Sequence, residues 1–380
     1  MIYFDHNAST PVHPDVLAEM MPYLQGCYAN PSSVHQQGRV AREAINKARE
    51  QVAELVNAHS SQVIFTSGGS EANNLAIKGS IRGMSLSRLI IGSTEHPSVR
   101  DAAKYFAAST NLDVLPVDAQ GVIKFDDLSR VSSTGAPALV SLMMANNETG
   151  VVQDIEKIAR HLQNDAHIVH TDAVQAAGKI NINFTQLNVN LLSLSAHKIY
   201  GPKGVGALVV DKRIDIEPMI HGGGQEKKWR SGTENVAAIV GFGKAAELAK
   251  LNLKGNVEKL KDLQQYFECQ LHQLQGVIIF SEQAERLSNT TFFGVPGIDG
   301  ETLLMQLDVQ GIAVTSGSAC ASTSLMPSHV LIAMGINEQA ARSAIRVSFG
   351  LQNTKAEIDQ FIYILKIQIE MISSLAIMEN

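Results

Sequence analysis

Seven short runs of apolar and β-branched residues, at 63–66, 89–92, 114–117, 138–143, 168–170, 191–194 and 205–210, constrain the fold of this chain more than any other feature. Helical patterns at 71–81, 98–108 and 155–162 separate several of them. Short strands alternating with helices predict an α/β fold built on a mostly parallel seven-stranded sheet with helices on both faces. In such sheets ligand chemistry gathers at the carboxyl ends of the strands. After an amphipathic helix at 235–250 the pattern changes. A charged helix at 257–273, strands at 277–280, 290–293, 312–315 and 345–349, a helix at 301–310 and a long final helix at 355–375 predict a smaller α+β part.

With 380 residues, 45% of them apolar and 18% charged, the chain has the composition of a folded protein with a sizeable core. A net charge of −6 with no basic stripe argues against nucleic acid and anionic membrane as partners. No uncharged apolar run approaches the roughly 18 residues of a membrane span. The opening Met1-Ile2-Tyr3-Phe4-Asp5-His6 has no signal-peptide pattern. Cys27, Cys269 and Cys320 are odd in number and unrelated in spacing, which excludes a disulfide framework and a four-cysteine zinc site. No metal is expected, and a cytoplasmic, reducing compartment fits best.

Five polar residues follow apolar runs in the way the sheet rule requires: Ser70, His96, Asn147, Asp172 and Lys198. Gly68-Gly69-Ser70-Glu71 joins a strand to a helix, where glycine lets backbone N–H groups approach an anion and Ser70 caps the helix. Alone, this is also what an ordinary glycine turn looks like. Asp172 alone reads as a turn cap and Lys198 alone as a surface lysine. Together, with Gln175 three residues after the acid and the turn Gly201-Pro202-Lys203-Gly204 behind the lysine, they suit a pyridoxal-phosphate (PLP) site. A lysine holds the aldehyde, and an acid keeps the pyridine nitrogen protonated. Ser195 and His197 flank the lysine as further phosphate donors. His96 precedes Pro97 at a helix start, placed to stack on a ring or move protons. Cys320 lies in the small-residue stretch Ser316-Gly317-Ser318-Ala319-Cys320, which favours a reactive thiol over a buried one. The loop 316–327 is expected to be mobile. Arg346, inside an apolar strand, needs a partner, and a substrate carboxylate would provide one.

These motifs, in this order, resemble the cysteine desulfurases of the iron–sulfur-cluster and nitrogen-fixation type, a branch of the fold-type I PLP enzymes within the class V aminotransferases. The resemblance spans essentially the whole chain. It runs from Asp5-His6-Asn7-Ala8-Ser9-Thr10-Pro11 through Thr66-Ser67-Gly68-Gly69-Ser70-Glu71, Asn146-Asn147-Glu148-Thr149-Gly150 and His170-Thr171-Asp172-Ala173-Val174-Gln175. It continues to Ser195-Ala196-His197-Lys198, Arg230-Ser231-Gly232-Thr233-Glu234-Asn235 and the Cys320 stretch.

The resemblance implies a large PLP-binding domain at 15–254, and a small domain formed by 1–14 with 255–380 that carries the Cys320 loop. It implies that Lys198 holds PLP as a Schiff base, that Asp172 pairs with the pyridine nitrogen, and that Gln175 pairs with the ring hydroxyl. Gly69, Ser70, Ser195 and His197 would cradle the phosphate, with Thr233 reaching it from the other subunit of a homodimer. His96 would stack on the ring, and Asn147 with Arg346 would orient L-cysteine. Cys320 would take the sulfur as a persulfide and pass it to an acceptor or iron–sulfur scaffold protein. The alternatives are a selenocysteine lyase or another fold-type I enzyme such as an aminotransferase. Ser70 stands where relatives often have threonine, and Ile332 and Leu351 stand where basic residues are common, differences that bear on the sulfur acceptor more than on the chemistry.

Overall fold

The computed structural model describes residues 1–107, 110–133, 135–163, 166–317 and 326–378. The chain opens on a two-residue strand, β1 (Ile2–Tyr3). The large sheet then collects β2 (Val63–Thr66), β3 (Arg88–Gly92), β4 (Asn111–Leu115), β5 (Leu139–Ser141), β6 (Ile168–Asp172), β7 (Leu191–Ser195) and β8 (Gly206–Val210). All seven predicted strands are present, in the spatial order β2-β8-β7-β6-β5-β3-β4. β8 pairs antiparallel with both β2 and β7, and every other pairing is parallel. The two reversals cancel, so β2 points the same way as β7 and delivers its carboxyl end to the same edge.

Strand residues divide between two cores by the period-two rule. Ile90 joins one face with Val52, Val140 and Leu192, while Leu89 and Ile91 join the other with Leu75, Val99 and Phe106. Only the edge strand β4 is substantially exposed. His170 is the polar exception in mid-strand. Its Nδ1 meets Ser141 Oγ at 2.8 Å and its Nε2 meets Ser193 Oγ at 2.9 Å, one serine from each flanking strand. Burial pushes this imidazole down to about 3, so it is neutral.

The predicted helices at 235–250 and 257–273 are one helix, Val236–Leu271, capped by Asn235. The break expected between residues 250 and 257, where Gly255 lies, does not occur. One glycine costs a helix only about 1 kcal/mol, less than the packing gained on either side. The first half of this helix carries Phe242, Ala245 and Ala246 into the large-sheet core. The second half carries Leu263, Phe267 and Leu271 into a separate core with Phe4, Phe293, Phe349 and Phe361.

Around that second core lie β9 (Ile278–Ile279), β10 (Thr290–Gly294), β11 (Ile312–Ala313), β12 (Thr315–Ser316) and β13 (Ala344–Ser348). β12-β13-β10-β9 form an antiparallel sheet, and β11 pairs parallel with β1. The single strand expected at 312–315 is thus two strands in different sheets. Helices Gly300–Val309 and Lys355–Met378 pack alongside. Among the described residues no helix is long and apolar enough to cross a membrane.

Candidate functional site

The carboxyl ends of β2, β3, β5, β6 and β7 converge on a cavity of about 330 Å³ lined by Gly69, Ser70, His96, Asn147, Asp172, Gln175, Ser195, His197, Lys198 and Arg346. Ten of the twelve site residues anticipated from the sequence therefore meet in one place. Thr233 is exposed and does not line the cavity. Cys320 lies outside the described residues, as does the middle of the loop expected to be mobile.

Lys198 sits on a short turn, Ala196–Lys198, directly after β7. A Cβ on Gly201 would lie 2.8 Å from the Ala196 carbonyl oxygen, so only glycine lets the chain fold back at this point. The amino-terminal segment clamps the same turn. Thr10 N–H and Oγ1 both donate to the His197 carbonyl at 2.9 Å, and Thr10 Oγ1 accepts from Tyr200 N–H at 2.8 Å. The Lys198 ammonium donates to the carbonyls of Asn7 and Ala8.

Asp172 is buried and fixed by two donors. Val174 N–H reaches Oδ1 at 2.9 Å, and Asn73 Nδ2 reaches Oδ2 at 2.7 Å. Asn73 Nδ2 also donates to Ser98 Oγ at 2.9 Å, and Ser98 Oγ lies 2.8 Å from His96 Nδ1. His96 Nδ1 also accepts from the Ser98 N–H at the helix start, which leaves Nε2 to carry the proton in the neutral ring. Burial lowers the His96 pKa, against the pull of Asp172 in the opposite direction.

The phosphate end differs from expectation in one respect. Gly68, not Ser70, is the cap of the helix that begins at Gly69. Ser70 is an exposed first-turn residue, because the two glycines let the helix start two residues earlier. A Cβ on Gly69 would come within 2.7 Å of Val174 Cγ2, so the close approach of this turn to the segment after β6 requires glycine. Ser195 Oγ is buried without a hydrogen-bond partner among the described residues. A buried hydroxyl in that state costs about 1–3 kcal/mol, and a docked phosphate oxygen would satisfy it. His197 is held down to about 4 by burial and by Lys198, so it offers a neutral ring.

Arg346 already has protein partners. Its Nη2 pairs with Asp5 at 2.7 Å and its Nη1 donates to the Asn147 carbonyl at 2.8 Å, while Nε has no partner among the described residues. The strand arginine thus has its charge balanced by Asp5 within the protein itself. Ile332 is exposed. Leu351 packs on the second core and donates its N–H to Tyr200 Oη at 2.8 Å, a setting that suits an apolar side chain.

Three residues had no assigned role in the sequence reading. Asn73 bridges Asp172 and Ser98, whose hydroxyl in turn meets His96. Asn7 receives Lys198 and Gln175 on its carbonyl, while its side chain contacts Asn147, Asn289 and Thr290. Lys179 lies four residues beyond Gln175, a spacing that was visible but carried no chemical signal.

A class-V aminotransferase model matches residues 2–361. This chain belongs to that family. Its cofactor is pyridoxal 5′-phosphate, which the cavity fits: a lysine at the mouth of the sheet, a buried carboxylate opposite, and an unsatisfied serine hydroxyl beside a glycine turn. Among curated relatives, the chain is 40% identical over 379 residues to cysteine desulfurase IscS of Dictyoglomus turgidum, covering 99% of this chain and 96% of the relative. It is 41% identical over 383 residues to a cysteine desulfurase of Nostoc, covering 100% and 96%. Among solved structures, a NifS-like protein of Rickettsia africae superposes with a TM-score of 0.90 at 38% identity, covering 97% and 99%.

Proposed function

We propose that this chain is an L-cysteine desulfurase that releases L-alanine and holds the sulfur as a persulfide on Cys320 for transfer to an acceptor protein. The observation that carries the reading is the convergence of Lys198, Asp172, His96 and Arg346 on one cavity. The names of its full-length relatives support it. PLP, when bound, draws electrons from the substrate's carbons so that the carbon–sulfur bond weakens. Asp172, locked by Asn73 and Val174, is the group that keeps the ring nitrogen charged. Arg346 offers its free Nε toward a carboxylate, with Asn147 beside it. Lys198 binds the cofactor and, once displaced by substrate, carries the α-proton. His96, neutral with its proton on Nε2, presents a donor to the same space. The Cys320 thiolate attacks the substrate sulfur, a sulfur–sulfur bond forms and the carbon–sulfur bond breaks. Its electron pair stays on carbon, which takes a proton to give alanine.

The large unit at 15–254 and the small unit of 1–14 with 255–380 are read as two domains sharing the long helix. Thr233, which does not line its own cavity, is read as a phosphate contact offered to a second copy in a homodimer. The compartment is read as cytoplasmic, and the acceptor as an iron–sulfur scaffold or a thiolation partner.

Single-turnover mass spectrometry of the PLP-loaded protein with L-cysteine tests the reading. One added sulfur on Cys320 for each alanine released is expected, and none in a Cys320→Ala variant. Undiminished turnover by that variant would instead favour a selenocysteine lyase or an aminotransferase, which need no thiol.

A further inference from the structure

Lys179 is as buried as the apolar core, and its ammonium has no carboxylate among its described partners. Its hydrogen bonds go to the carbonyl oxygen and to the Oε1 of Gln175, both at 3.0 Å. Taking an ammonium out of water without a counter-ion is costly, and a lysine kept in such a place needs a reason beyond packing. Burial, with Lys198 and Arg346 adding like charge, pulls its pKa down to about 7. The other titratable groups that respond to it are His6 and His197.

The geometry supplies a reason. A glutamine amide has a donor end and an acceptor end that are alike in shape, and only its neighbours decide which end faces where. An ammonium has donors only, so beside Lys179 the amide must present Oε1. The Nε2 donor is then turned the other way, where it gives a hydrogen bond of 2.9 Å to the Asn7 carbonyl at the cavity. That same carbonyl accepts from Lys198. A ring hydroxyl that ionises when PLP is bound needs a donor, not an acceptor.

We propose that Lys179 is a positioning residue that sets the polarity of the Gln175 amide, holding its N–H end toward the cofactor and toward the carbonyl shared with Lys198. The inference rests on the reading of Gln175 as the partner of the ring hydroxyl.

The test is a double-mutant cycle on the holoenzyme with Lys179→Met, Gln175→Ala and the pair, reading PLP dissociation and the pH midpoint of the bound cofactor's visible band. Apo-protein melting is recorded alongside. Losing one directed hydrogen bond should weaken PLP binding by roughly 3- to 10-fold in Lys179→Met and move the band midpoint upward, because the ring oxygen loses its donor. In the Gln175→Ala background Lys179→Met should add less than about 2-fold. The apo-protein should melt no lower, since a buried charge has been removed. Lys179→Gln, whose amide does not fix polarity, serves with the same readouts and the same expected weakening should the methionine variant fail to fold. An unchanged PLP affinity and midpoint in either variant, or a full additive loss in the Gln175→Ala background, overturns the proposal while leaving Gln175 in its role. No effect of Gln175→Ala itself removes the underlying reading, and the proposal with it.

Discussion

At the residue scale, the site shows where a side chain's chemistry can be read locally and where it cannot. Lys198, Asp172 and His96 were legible because each closes an apolar run, and a strand end fixes position without help from distant sequence. Asn7 and Asn73 were not, because their roles come from partners far along the chain, and Lys179 was not because a lysine four residues from a glutamine carries no sign of its burial. Asn7 Nδ2 reaches Thr290 Oγ1 at 2.9 Å, and Asn7 Oδ1 receives Asn289 Nδ2 at 2.9 Å. The Ser195 hydroxyl gives a prediction whose sign depends on ligand. In the apo-protein Ser195→Ala removes a buried group with no partner, so urea unfolding should show stability unchanged or raised by about 1 kcal/mol. In the holoenzyme the same change should weaken PLP binding by roughly 5- to 10-fold, measured by equilibrium dialysis. A loss of stability in the apo-protein would show that the hydroxyl has a partner there.

At the scale of elements, the apolar runs marked every strand of the large sheet but not its direction. Hydrophobic patterning carries no polarity, so the antiparallel insertion of β8 between β2 and β7 was invisible, although it decides that β2 delivers Gly69 to the site edge. β1 has two residues, too few for any periodicity, and it exists only because β11 lies beside it. The long helix was divided in the sequence reading at its polar middle, where Gly255 sits exposed. A Cβ at that position would meet nothing within 4 Å. Gly255→Ala should therefore stabilise the protein by about 0.5–1 kcal/mol, through helix propensity alone, in denaturant titrations. A destabilised variant would mean the helix is interrupted there in solution.

At the scale of the whole molecule, buried histidines shape the response to acid. Burial holds His170 down to about 3 and is the leading cause that holds His6, His197 and His329 down to about 4. Each folded-state value lies below that of the unfolded chain, so below about pH 6.5 the unfolded chain takes up protons that the folded one refuses. Stability is fully present above that pH and is lost as pH falls toward 4. The buried carboxyls of Glu95 and Glu148, both raised by burial, act in the opposite sense and offset part of this. The imidazole contribution is isolated at His170, buried between two serines: from pH 7 to 5.5 the apo-protein should lose about 1 kcal/mol more stability than a His170→Gln variant, read from urea midpoints at the two values. Equal losses in the two proteins would place this imidazole in contact with water.

The helix Val236–Leu271 passes from one hydrophobic core into the other without a break. A joint made of loop lets two bodies lose their structure one at a time. A shared helix does not, because melting either core strips the support from half of a continuous ladder of backbone hydrogen bonds. Lys198 beside one core and Arg346 beside the other are therefore held in register by a common beam, and their alignment survives or fails as one event.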